Sequence, residues 1–247
     1  MLLRKFRQSS FVKGLVYAIV GIITYPGLNI INKLTISGME NLKNLPAKNV
    51  LFVSNHQTYF ADVIAFIHIF CAFGWGKQNR LGLPYYLLWP FTKVKYVAAE
   101  ETMNSTWLTK FFRLAGALTV KRTWNEGGKE IQRGLDPSDT RKIFSALENN
   151  WVITFPQGTT KPFAPGRKGT AHIIKHNNPI VIPVVIKGFS RAFNKKGLAI
   201  KRKNMQLSVT FKAPLHIEGT KTNDEIMEQV MDAIEQSKKF MPGAKRA

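Results

Sequence analysis

Short apolar runs, separated by polar and turn-forming stretches, set the character of this chain. Asn49-Val50-Leu51-Phe52-Val53, Tyr96-Val97-Ala98-Ala99, Ala117-Leu118-Thr119-Val120, Trp151-Val152-Ile153-Thr154-Phe155 and Ile180-Val181-Ile182-Pro183-Val184-Val185-Ile186 read as buried strands. A strand with one wet face would alternate instead. Leu34-Thr35-Ile36-Ser37-Gly38 does alternate, and Leu207-Ser208-Val209-Thr210-Phe211 supplies a further strand. Helical patterns lie between them: Val63 to Ile67, Trp107 to Leu114, and a helix opened by Asp136-Pro137-Ser138-Asp139 with the stripe Ile143, Phe144, Leu147. A capping residue and early negative charge suit that start. A last amphipathic helix runs from about Asn223 to Phe240. Strands alternating with helices predict an α/β fold, one domain over residues 35–247 with a mostly parallel central sheet covered by helices.

The first 34 residues follow a different pattern. Met1 to Arg7 is basic and apolar together, and no charge occurs from Gly14 to Asn32. That is nearly a membrane-spanning length. Pro26-Gly27 is expected to end a first helix at about Tyr25, with a second short apolar helix after it. Such a hairpin, over residues 1–34, would dip into one leaflet. No small-x-small cleavage site follows the apolar run, which sets this stretch apart from a cleaved leader.

Charge narrows the partners. Thirty-six Lys plus Arg against fifteen Asp plus Glu gives +21, a field that attracts an extended anion. An anionic membrane surface or an acidic carrier with its thioester fits. Nucleic acid does not, because the aromatics are not interleaved with the basic runs and an apolar N-terminus has no use there. The single cysteine, Cys71, sits in an apolar run and excludes an internal disulfide. His172 and His176 stand four apart with no Cys or carboxylate close by in sequence, too few ligands for a metal. Leu81 to Phe91 is densely aromatic and apolar, as an interfacial surface, an acyl-chain wall or a packed core would be.

The chemistry concentrates in Ser54-Asn55-His56-Gln57-Thr58-Tyr59-Phe60-Ala61-Asp62, between a strand and a helix. A histidine there, with a carboxylate six positions on, is placed like a general base and its orienter. Asp62 is the only acidic residue between Glu40 and Glu100. The same pairing also serves purely structural purposes, and alone it does not decide.

Four segments in order resemble the glycerolipid acyltransferase family, in particular 1-acylglycerol-3-phosphate acyltransferases. They are Asn55-His56-Gln57-Thr58…Asp62, Gly116 to Arg122, Phe155-Pro156-Gln157-Gly158-Thr159, and Val181-Ile182-Pro183-Val184. The resemblance implies a membrane-associated enzyme on the cytoplasmic face of the cell inner membrane. It would move an acyl chain from acyl carrier protein or coenzyme A to the hydroxyl of a lysolipid, with no cofactor beyond that co-substrate. His56 would be the general base and Asp62 its orienter. Asn55, Gln57, Arg122, Pro156, Gln157, Gly158, Thr159, Thr160, Lys161 and Lys168 would surround the substrate. Ser54 and Cys71 would be bystanders, and amides near Gly158-Thr159 could position the oxyanion.

The departures carry information too. Five residues separate His56 from Asp62 where the family has four, so the histidine is expected before the helix, with Thr58 as a cap. Gln157 replaces a glutamate, and Thr160 an arginine that meets the acceptor phosphate. Arg122, Lys161, Arg167 and Lys168 are the available substitutes. An acceptor without phosphate, the hydroxyl of an N-acyl amino acid, is the alternative; a non-catalytic membrane-binding relative is another.

Overall fold

A computed structural model describes residues 10–90, 93–104, 113, 115–121, 123–126, 129–132 and 137–243. Phe91, Arg122, Asp136 and all of the expected helix over Trp107 to Leu114 except Arg113 lie outside them.

Seven strands form the central sheet: β1 (Lys33–Ser37), β2 (Val50–Ser54), β3 (Val94–Ala99), β4 (Ala117–Val120), β7 (Trp151–Thr154), β8 (Ile180–Lys187) and β9 (Gln206–Phe211). Their order is β1-β9-β8-β2-β7-β3-β4. Every pairing is parallel except β8 with β9. The strands β5 (Thr123–Glu126) and β6 (Lys129–Gln132) make a separate antiparallel pair. The helices are α1 (Ser10–Asn29), α2 (Ala61–Gly74), α3 (Glu100–Asn104), α4 (Pro137–Leu147), α5 (Lys168–Asn177), α6 (Phe189–Ala192) and α7 (Asn223–Ala233).

Two cores lie on opposite faces of the sheet. Val50 and Phe52 of β2 join α1 and α2 on one side, while Leu51 and Val53 join α4, α5 and α7 on the other. Both faces of β2 are therefore dry, which explains its unbroken apolar run.

The N-terminal helix departs from expectation. It does not end at Tyr25 but continues through Pro26 to Asn29, and β1 follows after a short turn in place of a second apolar helix. Pro26 is tolerated because it stands in the last turn, where it costs one helical bond. Its carbonyl accepts from both Ile30 N and Ile31 N, closing the helix. Asn29 Nδ2 donates to Tyr25 Oη, which donates to Gly82 O at 2.7 Å. The 20 residues span roughly 30 Å, long and apolar enough to cross a bilayer by length and composition.

One face of α1 nonetheless belongs to the protein core. Val16, Tyr17, Val20 and Leu28 are buried, and Tyr17 Oη donates to Ala115 O. His68 is buried between Thr24 Oγ1 and Tyr86 Oη, and burial lowers its pKa to about 3. Lys13 reaches inward to Val94 O. Burial, with Lys95 adding repulsion, lowers its pKa from 10.5 to about 7.

The unfolded chain keeps a proton on Lys13 up to its ordinary value, and the folded chain releases it near 7. Between these limits the unfolded state binds more protons, so stability rises with pH by at most about 1.4 kcal/mol per unit. Thermal melts in detergent from pH 7 to 10 should show that rise, and Lys13→Met should flatten it.

The Leu81 to Phe91 stretch divides. Leu81, Tyr86 and Leu87 are buried, whereas Leu83, Leu88 and Trp89 are exposed beside the outer face of α1. Between them runs an apolar groove of about 720 Å3, lined by Phe11, Leu15, Ile22, Tyr85, Leu88 and Trp89.

Candidate active site

The site lies where the parallel strands end, the edge at which open α/β sheets take their ligands. β2 runs out at Ser54, and its neighbour β8 is paired to it up to Val184. Asn55 prolongs that ladder with its side chain: Nδ2 donates to Ile186 O at 2.8 Å and Oδ1 accepts from Ile186 N at 2.7 Å. Both amide atoms are used and the residue is buried. Asn55 therefore positions the next residue and does not face the substrate cavity.

That next residue is His56. Its Nδ1 lies 2.9 Å from Asp62 Oδ2, and its ring stacks on Phe155 with centroids 4.0 Å apart. The side chain is 13% exposed. Asp62 is fully buried at the start of α2. Its Oδ2 also accepts from Gln57 N at 2.6 Å and Thr58 N at 3.1 Å, and its Oδ1 from the Thr58 hydroxyl at 2.8 Å. Every partner is a donor, so the carboxylate both orients the imidazole and folds the intervening loop. With Nδ1–H committed to Asp62, the lone pair of His56 sits on Nε2.

The extra residue between the pair is absorbed in the bends from Gln57 to Phe60. Phe60, not Thr58, caps α2, and without a side-chain bond; the Thr58 hydroxyl is spent on Asp62. Gln57 Oε1 accepts from Phe189 N at 2.9 Å and Ser190 N at 3.3 Å, so this oxygen secures the loop to α6.

His56 opens on a cavity of about 130 Å3 that is also lined by Tyr59, Val63, Met103, Phe155, Gly158 and Thr159 and by Tyr96 to Ala99 of β3. Of the expected substrate residues, Gly158 and Thr159 are thus brought to the base. Pro156 and Gln157 are not among the lining. Gln157 is buried, with Nε2 donating to Ala164 O and Gln236 Oε1. It ties the loop to the C-terminal segment, a task an uncharged amide suits. The Gly158 amide donates to Phe155 O at 2.9 Å, which removes it as an oxyanion donor. Thr160 and Lys161 stand away from the cavity wall, and exposed Lys168 pairs with Asp224 at 2.9 Å. Ser54 donates to Asn55 O, and Cys71 is buried.

Arg167, named from sequence only as one substitute among four, is brought against the cavity lining. Its backbone N–H donates to Pro156 O at 2.9 Å. Its Nε lies 2.8 Å from where a Cβ on Gly158 would stand. A guanidinium is thereby packed against a glycine that lines the cavity. His172 and His176 lie against Phe144 instead, His176 stacked at 4.3 Å. Among the described residues no cluster of three or more His, Cys, Asp or Glu could hold a metal.

A family model described as acyltransferase matches residues 33–187, well over half of the chain, and includes His56, Asp62 and Arg167 but not the partners Phe189, Ser190, Asp224 and Gln236. The chain belongs to the acyltransferase family. Among solved structures, this acyltransferase is similar to the 1-acyl-sn-glycerophosphate acyltransferase PlsC from Thermotoga maritima, with a TM-score of 0.54 and 16% identity. The match covers 89% of this chain and 76% of that one, and at this identity it speaks for the shared fold. A search of the curated proteins found no match.

Proposed function

We propose that this acyltransferase moves an acyl chain from an acyl thioester to the hydroxyl of a single-chain lysolipid, with 1-acylglycerol-3-phosphate as acceptor and phosphatidic acid as product. The observation that carries the mechanism is His56, held by Asp62 at 2.9 Å and opening on a cavity that it shares with Tyr59, Val63, Met103 and Phe155. Its Nε2 accepts the proton as the acceptor oxygen attacks the thioester carbon. The C–S bond then breaks, and the thiolate takes the proton back from the imidazolium. A thiol is a good leaving group, so no covalent enzyme intermediate is needed. Asp62 keeps the tautomer and stabilises the imidazolium. Acyl carrier protein or coenzyme A would be the donor.

Work at a membrane, which we place at the cytoplasmic face of the inner membrane, is supported as to the membrane by the outer stripe of α1 (Phe11, Leu15, Ile19, Ile22 and Ile23) and its exposed neighbours Leu88 and Trp89. An apolar surface of this kind favours lipid over water. A second acceptor keeps its place because Thr160 has no charge and Lys168 is engaged elsewhere. The hydroxyl of an N-acyl amino acid would need the same base and no phosphate grip.

The test offers the purified protein labelled acyl carrier protein thioester with either acceptor in detergent. Product from lysophosphatidic acid supports the reading, and product from the N-acyl amino acid alone overturns the acceptor. If Arg167 grips the phosphate, Arg167→Gln should raise the KM for lysophosphatidic acid by roughly tenfold or more, as loss of a charge-assisted contact does. The KM for the thioester should not move.

A further inference from the structure

Between β8 and β9, beyond the family match at residue 187, lies a segment of unusual charge. It carries Arg191, Lys195, Lys196, Lys201, Arg202 and Lys203, and no Asp or Glu occurs between Glu148 and Glu218. All six are exposed. Among the described residues none of them is in a salt bridge.

The segment is well built. Phe193 and Ile200 form a β-bridge, Asn194 N donates to Ala199 O, and Asn194 Oδ1 accepts from Gly197 N and Leu198 N. The result is a tight hairpin, with Leu198 42% and Ile200 38% exposed among the cations.

Its position gives it meaning. On one side Tyr59 N donates to Lys195 O and Phe60 N to Lys196 O, so the hairpin is bonded to the loop between His56 and Asp62. On the other, Ile200 stands 3.7 Å from where a Cβ on Gly27 would lie, and Asn204 N donates to Ile31 O. That is the end of α1, next to Ile30, which is 70% exposed. Cations and aliphatic side chains thus share a surface continuous with the apolar helix and attached to the catalytic loop.

Crowded cations without acids repel one another, and an anionic surface relieves them. Interspersed aliphatics and an adjoining apolar helix fit a bilayer interface, where apolar groups enter the acyl boundary and charges meet headgroups. An acidic carrier protein would satisfy the charge but not that continuity. We propose that residues 191–203 form a docking surface for anionic phospholipid headgroups, seating the catalytic loop at the plane where a lysolipid hydroxyl emerges. This rests on the membrane part of the proposed function.

The test uses the full chain and the combined variant Lys196→Gln, Lys201→Gln, Arg202→Gln, Lys203→Gln. Each cation near such a surface raises partitioning roughly fivefold. With four cations removed, binding to vesicles of equimolar phosphatidylglycerol and phosphatidylcholine should fall by roughly 600-fold. Its salt dependence should flatten, while binding to phosphatidylcholine alone and acyl transfer in neutral detergent should stay. Lys196→Arg, Lys201→Arg, Lys203→Arg should bind as the unaltered chain does. Undiminished binding of the Gln variant, equal loss on neutral vesicles, or loss in the Arg variant overturns the proposal. So does a raised KM for the carrier-protein thioester in neutral micelles with vesicle binding intact, which assigns the surface to the donor. Vesicle binding needs no turnover, so a failed acyl-transfer reading would be seen separately.

Discussion

His56→Ala should lower acyl transfer by roughly a thousandfold, within the usual range for loss of a general base. The protein should stay folded, with stability down by only about 1 kcal/mol for the lost stacking on Phe155. Asp62→Asn is expected to be as slow and also less stable. Its amide would turn an N–H toward donors already supplied by Gln57, Thr58 or His56. Rates in detergent micelles, with melts beside them, separate the two effects. Full activity in His56→Ala would remove the histidine from the chemistry.

The second large effect is expected away from the cavity, at Gly197. Its φ is +77°, and a Cβ there would lie 2.5 Å from Ala61 N and 2.8 Å from Thr58 Oγ1. Gly197→Ala should cost about 3 kcal/mol, part from the left-handed backbone and part from the clash. Activity should fall with it, because relieving the clash pushes Thr58 off Asp62. Gly76→Ala is the control: its φ is +73° but nothing lies within 4 Å of the added carbon. It should cost only about 1 kcal/mol and leave the rate alone. Equal effects at both positions would mean that the hairpin does not brace the catalytic loop.

The buried strands were readable because dry strands run apolar without alternation, as β2, β7 and β8 do up to their last residues Ser54, Thr154 and Lys187. Helix α5 was not, since Lys168, His172, Lys175 and His176 face outward and leave only a short stripe of Ala171, Ile173 and Ile174. The last helix was drawn too long: it ends at Ala233, and Glu235 turns the chain with φ +59°. The pairing of His56 with Asp62 followed from local spacing. What accommodates the longer gap did not, because the hairpin that holds Tyr59 and Phe60 lies more than a hundred residues on. Asn55 and Gln57 misled for the same reason: their partners, Ile186 and Phe189, are distant in sequence. Arg167 was brought to Gly158 by one backbone bond to Pro156 that no residue pattern announces.

Helix α1 has two loyalties, and they constrain how this enzyme can be handled. Its outer stripe suits lipid, yet Val16, Tyr17, Val20 and Leu28 complete the core over Phe52 and Phe70. Trimming it away to obtain a water-soluble enzyme would strip one side of the sheet and strand His68 without Thr24. Several buried side chains at roughly 1.5–3 kcal/mol each exceed what a typical domain has to spare. Solubility must therefore come from changing the outward residues Ile19, Ile22 and Ile23 in place.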